Sequence, residues 1–240
     1  MKIKGIAHRG DPVNYPENTL TAFRAAYELD FTHTELDVHL SKDGVPVIMH
    51  DFAIDRMTNG TGLIRDYTVA ELKQFVVKET ETIPTLEEVL KLLKGNMNVL
   101  IELKQKGDLY PGLEEKVLDV VRRTDTLDQS RIISFDYASL QRVRELVPDI
   151  ELGPLCHRSL PDIIPFMKQF NCTFLGIHLS LLTPEYADKL IENGFINSPW
   201  PIETIEEMEV IASTYPNSLI TTNHLERWTD FYRSHPELQI

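Results

Sequence analysis

In the stretch TELDVHLSKDGVPVIMHD, residues 34–51, Leu36, Val38 and Leu40 alternate with Glu35, Asp37 and His39. A period of two is that of a β-strand, so Glu35 and Asp37 project to one side of it. Other apolar runs end in the same way: Ile3–Ala7 gives out at His8 and Arg9, Val45–Met49 at His50 and Asp51, and Val99–Leu103 carries Glu102 just ahead of Lys104. Glu102 can converge with Glu35 and Asp37 from a neighbouring strand. Three carboxylates held close repel one another unless a cation neutralises them, and oxygen-only ligands suit a hard ion, Mg²⁺ or Ca²⁺. Imidazoles change protonation near neutral pH, so His8 and His50 have the chemistry of a general acid–base pair. Arg9 and Lys104 supply fixed positive charge of the kind that balances a phosphoryl group in its transition state. Taken singly, each residue has a plainer reading: an acidic pair facing solvent, a satisfied strand-end histidine, or a cation paired with Glu17 or Asp37. Their shared place at the ends of apolar runs favours one common site.

The elements that must position these groups alternate along the chain. Helical spacing marks Leu20, Phe23, Ala26 and Tyr27, with Asn18 or Thr19 as N-cap, and then the segments 68–75, 86–93, 113–121, 140–146, 163–170, 185–192 and 205–211. Between them lie strand candidates at 99–103, 131–135, 150–153, 174–177, 195–197 and 219–221. Strand following helix to this length argues for a parallel sheet, and the repetition suits a closed TIM (β/α)8 barrel, with an open doubly wound sheet as the alternative. In such barrels chemistry sits at the C-terminal ends of the strands, where the unusual residues fall. With the three opening runs, Ile3–Ala7, the alternation around Glu35 to Leu40 and Val45–Met49, the strand candidates outnumber a barrel's eight by one. The link Ser41-Lys42-Asp43-Gly44 is too short for a crossover helix, so either Val45–Met49 is a hairpin-like addition or a later candidate lies outside the barrel. Residues 53–84, with the turn-rich Asn59-Gly60-Thr61-Gly62, read as a small insertion after the third strand, within a single domain spanning 1–240.

Composition narrows the function classes. With 24 Lys and Arg against 37 Asp and Glu, the formal charge is −13, which disfavours nucleic acid as a partner. Cys156 and Cys172 make neither a disulfide framework nor a zinc motif. Nothing in the opening MKIKGIAHRG reads as a signal segment or membrane span, so a cytoplasmic protein without stable membrane insertion is expected.

His8-Arg9-Gly10, Pro16-Glu17-Asn18-Thr19, Glu35-Leu36-Asp37-Val38, Asp43-Gly44, His50-Asp51 and Glu102-Leu103-Lys104, in this order and spacing, resemble the glycerophosphodiester phosphodiesterase family. The likeness continues through Arg56–Gly62 and Ile83–Glu88, is dense over residues 3–104 and thins beyond. It implies a metal-dependent hydrolase on a TIM barrel that cleaves glycerophosphocholine, glycerophosphoethanolamine or similar diesters to sn-glycerol 3-phosphate and an alcohol. Carried over, it makes Glu35, Asp37 and Glu102 metal ligands, His8 and His50 the acid–base pair, and Arg9 and Lys104 phosphate binders. Asn18 is then expected at the metal or phosphate. The family's Trp-Thr-Val-Asn stretch is replaced here by Trp200-Pro201-Ile202-Glu203, which leaves Trp200 to wall the substrate pocket. Two other readings follow from the same residues: phospholipase D-like action on lysophospholipids, which calls for an apolar surface near the strand ends, and a barrel that binds a phosphodiester without turning it over. The second leaves a pair of placed proton carriers without a purpose.

Overall fold

A computed structural model of the chain describes residues 1–78, 80–157 and 162–239. β1 (Ile3–His8) leads through α1 (Leu20–Glu28) to β2 (Phe31–Leu40), which turns back on itself as β3 (Pro46–Ile48). A segment holding α2 (Val69–Leu72) and the short strands β4 (Val76–Val77) and β5 (Glu81–Thr82) precedes α3 (Leu86–Leu93) and β6 (Asn98–Leu103). Helix and strand then alternate: α4 (Leu113–Thr124), β7 (Ser130–Ser134), α5 (Tyr137–Leu146), β8 (Glu151–Cys156), α6 (Ile164–Gln169), β9 (Phe174–His178), α7 (Pro184–Glu192), β10 (Ile196–Trp200), α8 (Ile205–Thr214), β11 (Thr221–Thr222) and α9 (Leu225–Ser234).

Among the described residues, eight strands lie side by side in the order β10-β9-β8-β7-β6-β2-β1-β11, every neighbouring pair parallel. The ends of this path meet where Leu219 N donates to Asn197 O at 3.1 Å and the hydroxyls of Ser198 and Thr221 lie 3.2 Å apart, so the sheet curls into a TIM barrel. The ninth strand is the hairpin addition: β3 runs antiparallel to β2, with Val38 opposite Ile48. It is not a barrel strand, and it is followed by residues 53–84, the segment read from sequence as an insertion after the third strand. Ala53 bridges Leu63 and Thr58 bridges Val77 within it. Val47, Met49, Ile54, Met57, Ile64, Leu72, Val77 and Ile83 form its own small core.

The helices form where the spacing places an apolar stripe on the sheet. In α3, Leu86, Val89, Leu90 and Leu93 are buried, and Thr85 with Glu88 closes a capping box at its start. Removing such a cap typically costs about 1 kcal/mol, whereas truncating one of the buried leucines to alanine costs roughly 2–5 kcal/mol. Packing of the stripe therefore outweighs the cap. Inside the barrel, Ile6, Leu100, Ile133, Leu155, Phe174 and Leu219 fill the lumen below the strand ends. Gly176 on β9 leaves room for Leu155 on β8, with which a Cβ at that position would collide. A floor of side chains thus separates the open mouth from the N-terminal ends of the strands.

Candidate active site

Register brings the site together. β1 sets His8 beside Glu35 of β2, and β2 sets Asp37 beside Glu102 of β6. Because Glu35 and Asp37 are two apart on one strand, all three carboxylates turn inward, and one oxygen from each lies within 4.8 Å of the others. β3 then returns His50 to this level: Met49 N donates to Asp37 O at 3.1 Å, so the antiparallel hairpin carries the next residue back over the mouth. Arg9 and Gly10 have φ of 60° and 84° as the chain leaves β1. Gly10 is needed there because α1 passes so close that a Cβ would lie 2.6 Å from the carbonyl carbon of Ala22.

The cluster is dry. Asp37 is fully buried, and Glu35 and Glu102 are nearly so. Among the described residues neither oxygen of Glu35 finds a hydrogen-bond donor. Burial, and then the charges of Asp37 and Glu102, hold the Glu35 carboxyl well above the usual carboxylate range, and burial raises Glu102 as well. Burial pushes Asp37 the same way, but Lys104 and Arg9 outweigh it and keep that carboxyl below its ordinary value. Lys104 Nζ lies 2.8 Å from Asp37 Oδ1 and 2.7 Å from Glu102 Oε1, and Arg9 Nε lies 3.3 Å from Asp37 Oδ2. An unpartnered, buried carboxylate costs several kcal/mol unless something positive or protonated meets it. Three hard oxygen donors within this span, one of them lacking any partner, fit a divalent cation of the Mg²⁺ or Ca²⁺ type.

The two imidazoles are held differently. His8 Nδ1 lies 2.9 Å from Asn223 Oδ1, and its Nε2 is 3.8 Å from Glu35 Oε2. Burial, with Arg9 beside it, pushes the His8 imidazole down to about 4. His50 Nδ1 donates instead to the carboxylate of Asp51 at 2.7 Å, and burial lowers it while Asp37 acts in the opposite sense. Arg56, from the insertion, donates to Asp51 Oδ2 at 2.6 Å and to Glu17 Oε1 at 2.7 Å, and Arg9 Nη1 donates to the same Glu17 oxygen at 3.1 Å. Its hydrogen bond holds the Asp51 carboxyl down at about 2.

A cleft of roughly 560 Å³ opens over these groups and is lined by His8, Arg9, Glu35, His50, Glu102, Lys104 and Trp200, with Phe135 and Leu155 on its apolar side. Seven of the nine residues expected at the site from sequence therefore face one space. The other two stand behind it: Asp37 beneath the cations, and Asn18, only 2% exposed, donating to Asp37 Oδ2 at 2.7 Å. Other residues around the site are placed by long-range contacts. His39 is fully buried rather than in the cleft, with Nδ1 2.9 Å from the Tyr110 hydroxyl and Nε2 3.2 Å from the His50 carbonyl. It fixes the backbone of His50 from below. Arg56, from a stretch that shares the family likeness, joins the site, as do Asn223 at the end of the last strand and Phe135 after β7. His178 packs edge-on against Trp200 at 5.4 Å, and His157 does so against Phe135 at 5.0 Å.

Carboxylates gathered between two imidazoles and two cations thus stand at the mouth of a TIM barrel, the end of the strands where enzymes of this fold place their chemistry. The sequence model of the glycerophosphoryl diester phosphodiesterase family matches residues 8–224. A glycerophosphodiester phosphodiesterase of Caldanaerobacter subterraneus subsp. tengcongensis is 35% identical over 230 residues, covering 92% of this chain and 94% of that one. One from Bacillus altitudinis is 41% identical over 236 residues, covering 90% and 96%. Among solved structures, an Oleispira antarctica phosphodiesterase in complex with the product sn-glycerol-3-phosphate superposes with a TM-score of 0.90 at 26% identity, over 96% of each chain. The chain therefore belongs to the glycerophosphoryl diester phosphodiesterase family, and it is an enzyme, a phosphoric diester hydrolase. Among the described residues no helix is long and apolar enough to cross a membrane.

Proposed function

We propose that this enzyme hydrolyses glycerophosphodiesters such as glycerophosphocholine and glycerophosphoethanolamine to sn-glycerol 3-phosphate and an alcohol, with one divalent cation held by Glu35, Asp37 and Glu102. The observation that carries the reading is the buried trio of carboxylates, within 4.8 Å of one another and with Glu35 lacking any donor, flanked by His8 and His50. Lys104 and Arg9 pair with Asp37 and Glu102 but leave Glu35 without a donor, which a bound cation or a shared proton would relieve, and the adjoining cleft suits a phosphate. The relative solved with sn-glycerol-3-phosphate bound supports the product.

In this mechanism Arg9 and Lys104 bind the phosphate oxygens and balance the charge that grows on them. His8 and His50 divide the proton work, one accepting the proton of the attacking hydroxyl and the other donating to the departing alkoxide. When bound, the cation withdraws charge from a nonbridging phosphate oxygen and favours ionisation of a bound hydroxyl. Asn18 holds Asp37 in its ligating orientation, and Trp200 walls the cleft against the substrate's organic part. The whole of 1–240 acts as one catalytic domain, with 53–84 as a segment that braces the mouth through Arg56. The buried free thiols of Cys156 and Cys172 suit a reducing, cytoplasmic compartment.

The test follows release of sn-glycerol 3-phosphate from glycerophosphocholine and glycerophosphoethanolamine by a coupled assay, beside release of choline from lysophosphatidylcholine, each with chelator and with added Mg²⁺ or Ca²⁺. Release from the two glycerophosphodiesters that chelator stops and a divalent cation restores is the expected result. Turnover of lysophosphatidylcholine alone, or activity indifferent to chelator, overturns the proposal.

A further inference from the structure

Glu203 stands where the family's Trp-Thr-Val-Asn stretch ends, and its carboxylate does not reach the cleft directly. Its Oε1 accepts from the backbone N–H of Asn223 at 3.2 Å and from Asn223 Nδ2 at 2.9 Å, while Oε2 lies 3.3 Å from His224 Nε2. Its own backbone is tied down by Glu203 N donating to Glu207 Oε2 at 2.7 Å, so the carboxylate is presented from a fixed point at the start of α8. An ionised carboxylate only accepts hydrogen bonds, so the NH₂ of Asn223 must face Glu203 and the carbonyl oxygen must face the other way. That oxygen lies 2.9 Å from His8 Nδ1. A carbonyl oxygen likewise only accepts, so the neutral imidazole carries its proton on Nδ1 and turns a bare Nε2 toward the cleft, on the side of Glu35.

From this chain of bonds we infer that Glu203 is a positioning residue for His8: acting through Asn223, it selects the imidazole tautomer whose Nε2 lone pair faces the substrate. A side-chain amide turned by half a rotation exchanges its oxygen and nitrogen with little change of shape, so without Glu203 nothing in this network stops Asn223 from offering its NH₂ to His8. The flipped amide would demand the opposite tautomer and leave a proton where the lone pair is needed. The asymmetry with His50, supported by the carboxylate of Asp51 rather than by an amide, makes the two imidazoles non-equivalent. This inference rests on the acid–base role proposed for His8 and takes it as the partner that accepts the proton.

The test uses the full chain with Mg²⁺ and glycerophosphocholine, and compares Glu203→Gln, which keeps an acceptor oxygen at the same reach, with Glu203→Asp and Glu203→Ala, which withdraw or remove it. Expected is a fall in kcat of about 10–100-fold for the last two with KM changed less than about threefold, and retention within about threefold for Glu203→Gln. Long-range ¹H–¹⁵N spectra of the imidazoles should show His8 as the Nδ1–H tautomer in the parent and Glu203→Gln, and a mixture in Glu203→Asp. Combining Glu203→Ala with Asn223→Leu should cost no more than Asn223→Leu alone, since one acts through the other. Glu203→Asp is included because it keeps the charge should Ala unfold the loop. Parental kcat and an unchanged His8 spectrum in Glu203→Asp, with His8→Ala inactive in the same assay, overturn the inference. An active His8→Ala overturns the role beneath it instead.

Discussion

The ammonium of Lys104 lies 2.8 Å from Asp37 Oδ1, at the centre of the acid cluster rather than at its rim. Burial weakens its hold on the proton, but Asp37 and Glu102 outweigh burial and keep the group above its ordinary lysine value. Lys104 and a divalent cation are then rivals for the same oxygens as well as partners around one phosphate. Replacing Lys104 with Met should tighten Mg²⁺ or Ca²⁺ binding by roughly 3–30-fold, as expected for removal of a like charge a few ångströms away. The same change should lower kcat/KM by about 100-fold through loss of a phosphate contact. Calorimetric titration with each ion, beside the turnover assay, checks both signs. Weaker ion binding in the variant would contradict the rivalry.

His8→Ala and His50→Ala should each lower kcat by roughly 10³-fold or more with the melting temperature close to the parent's, because both side chains sit at the open mouth rather than in the core. Glu35→Gln should instead lose ion binding and activity together. The discriminating measurement is the thermal shift on adding Mg²⁺, which the two histidine variants keep and Glu35→Gln loses.

Arg56 joins the insertion to both halves of the site, Asp51 behind His50 and Glu17 behind Arg9. Its side chain is 46% exposed, so its ion pairs add about 1 kcal/mol or less to stability. Arg56→Ala should therefore melt near the parent temperature while kcat falls about tenfold, since both supported residues lose an orienting partner. A stability loss that accounts for the whole fall in rate would assign Arg56 to the fold instead.

His33 lies at the opposite end of β2, against Asn98 and away from the mouth. Burial, and then the nearby Arg131, push its imidazole down to about 4. The unfolded chain binds a proton near pH 6.5 that the folded protein refuses until about pH 4, so the stabilising contribution is complete above the upper value and disappears as pH falls through the lower one. Between pH 7 and 4 the parent should lose roughly 1–3 kcal/mol more stability in urea unfolding than His33→Gln. Equal slopes for the two proteins would count against a buried neutral His33.

Much of the site was legible because its residues sit on regular elements. The period of β2 turns Glu35 and Asp37 to one side, and parallel register with β6 brings Glu102 to Asp37. The hairpin was not decidable in advance: Pro46–Ile48 reads equally well as a barrel strand, and only pairing with Leu40, Val38 and His39 shows that it runs the other way. Helix starts were drawn late where the signal was a cap rather than a stripe. α5 begins at Tyr137 behind the Asp136 cap, ahead of the apolar residues that betray it. His39 shares the alternation of Glu35 and Asp37, yet its partner Tyr110 comes from a loop 71 residues away, and that contact decides between substrate and core. Asn223 meets His8 across 215 residues, beyond the reach of any local pattern.

The pairing of β1 with β11, reinforced by Trp228 Nε1 donating to Lys4 O at 3.0 Å, makes the first and last segments of the barrel each other's neighbours. All three carboxylates lie within the first 102 residues, but the Asn223 that meets His8 comes 215 residues after it, and β1 keeps a raw edge until β11 is in place. A chain cut before β11 would keep the three carboxylates and both imidazoles but lack the amide that His8 leans on.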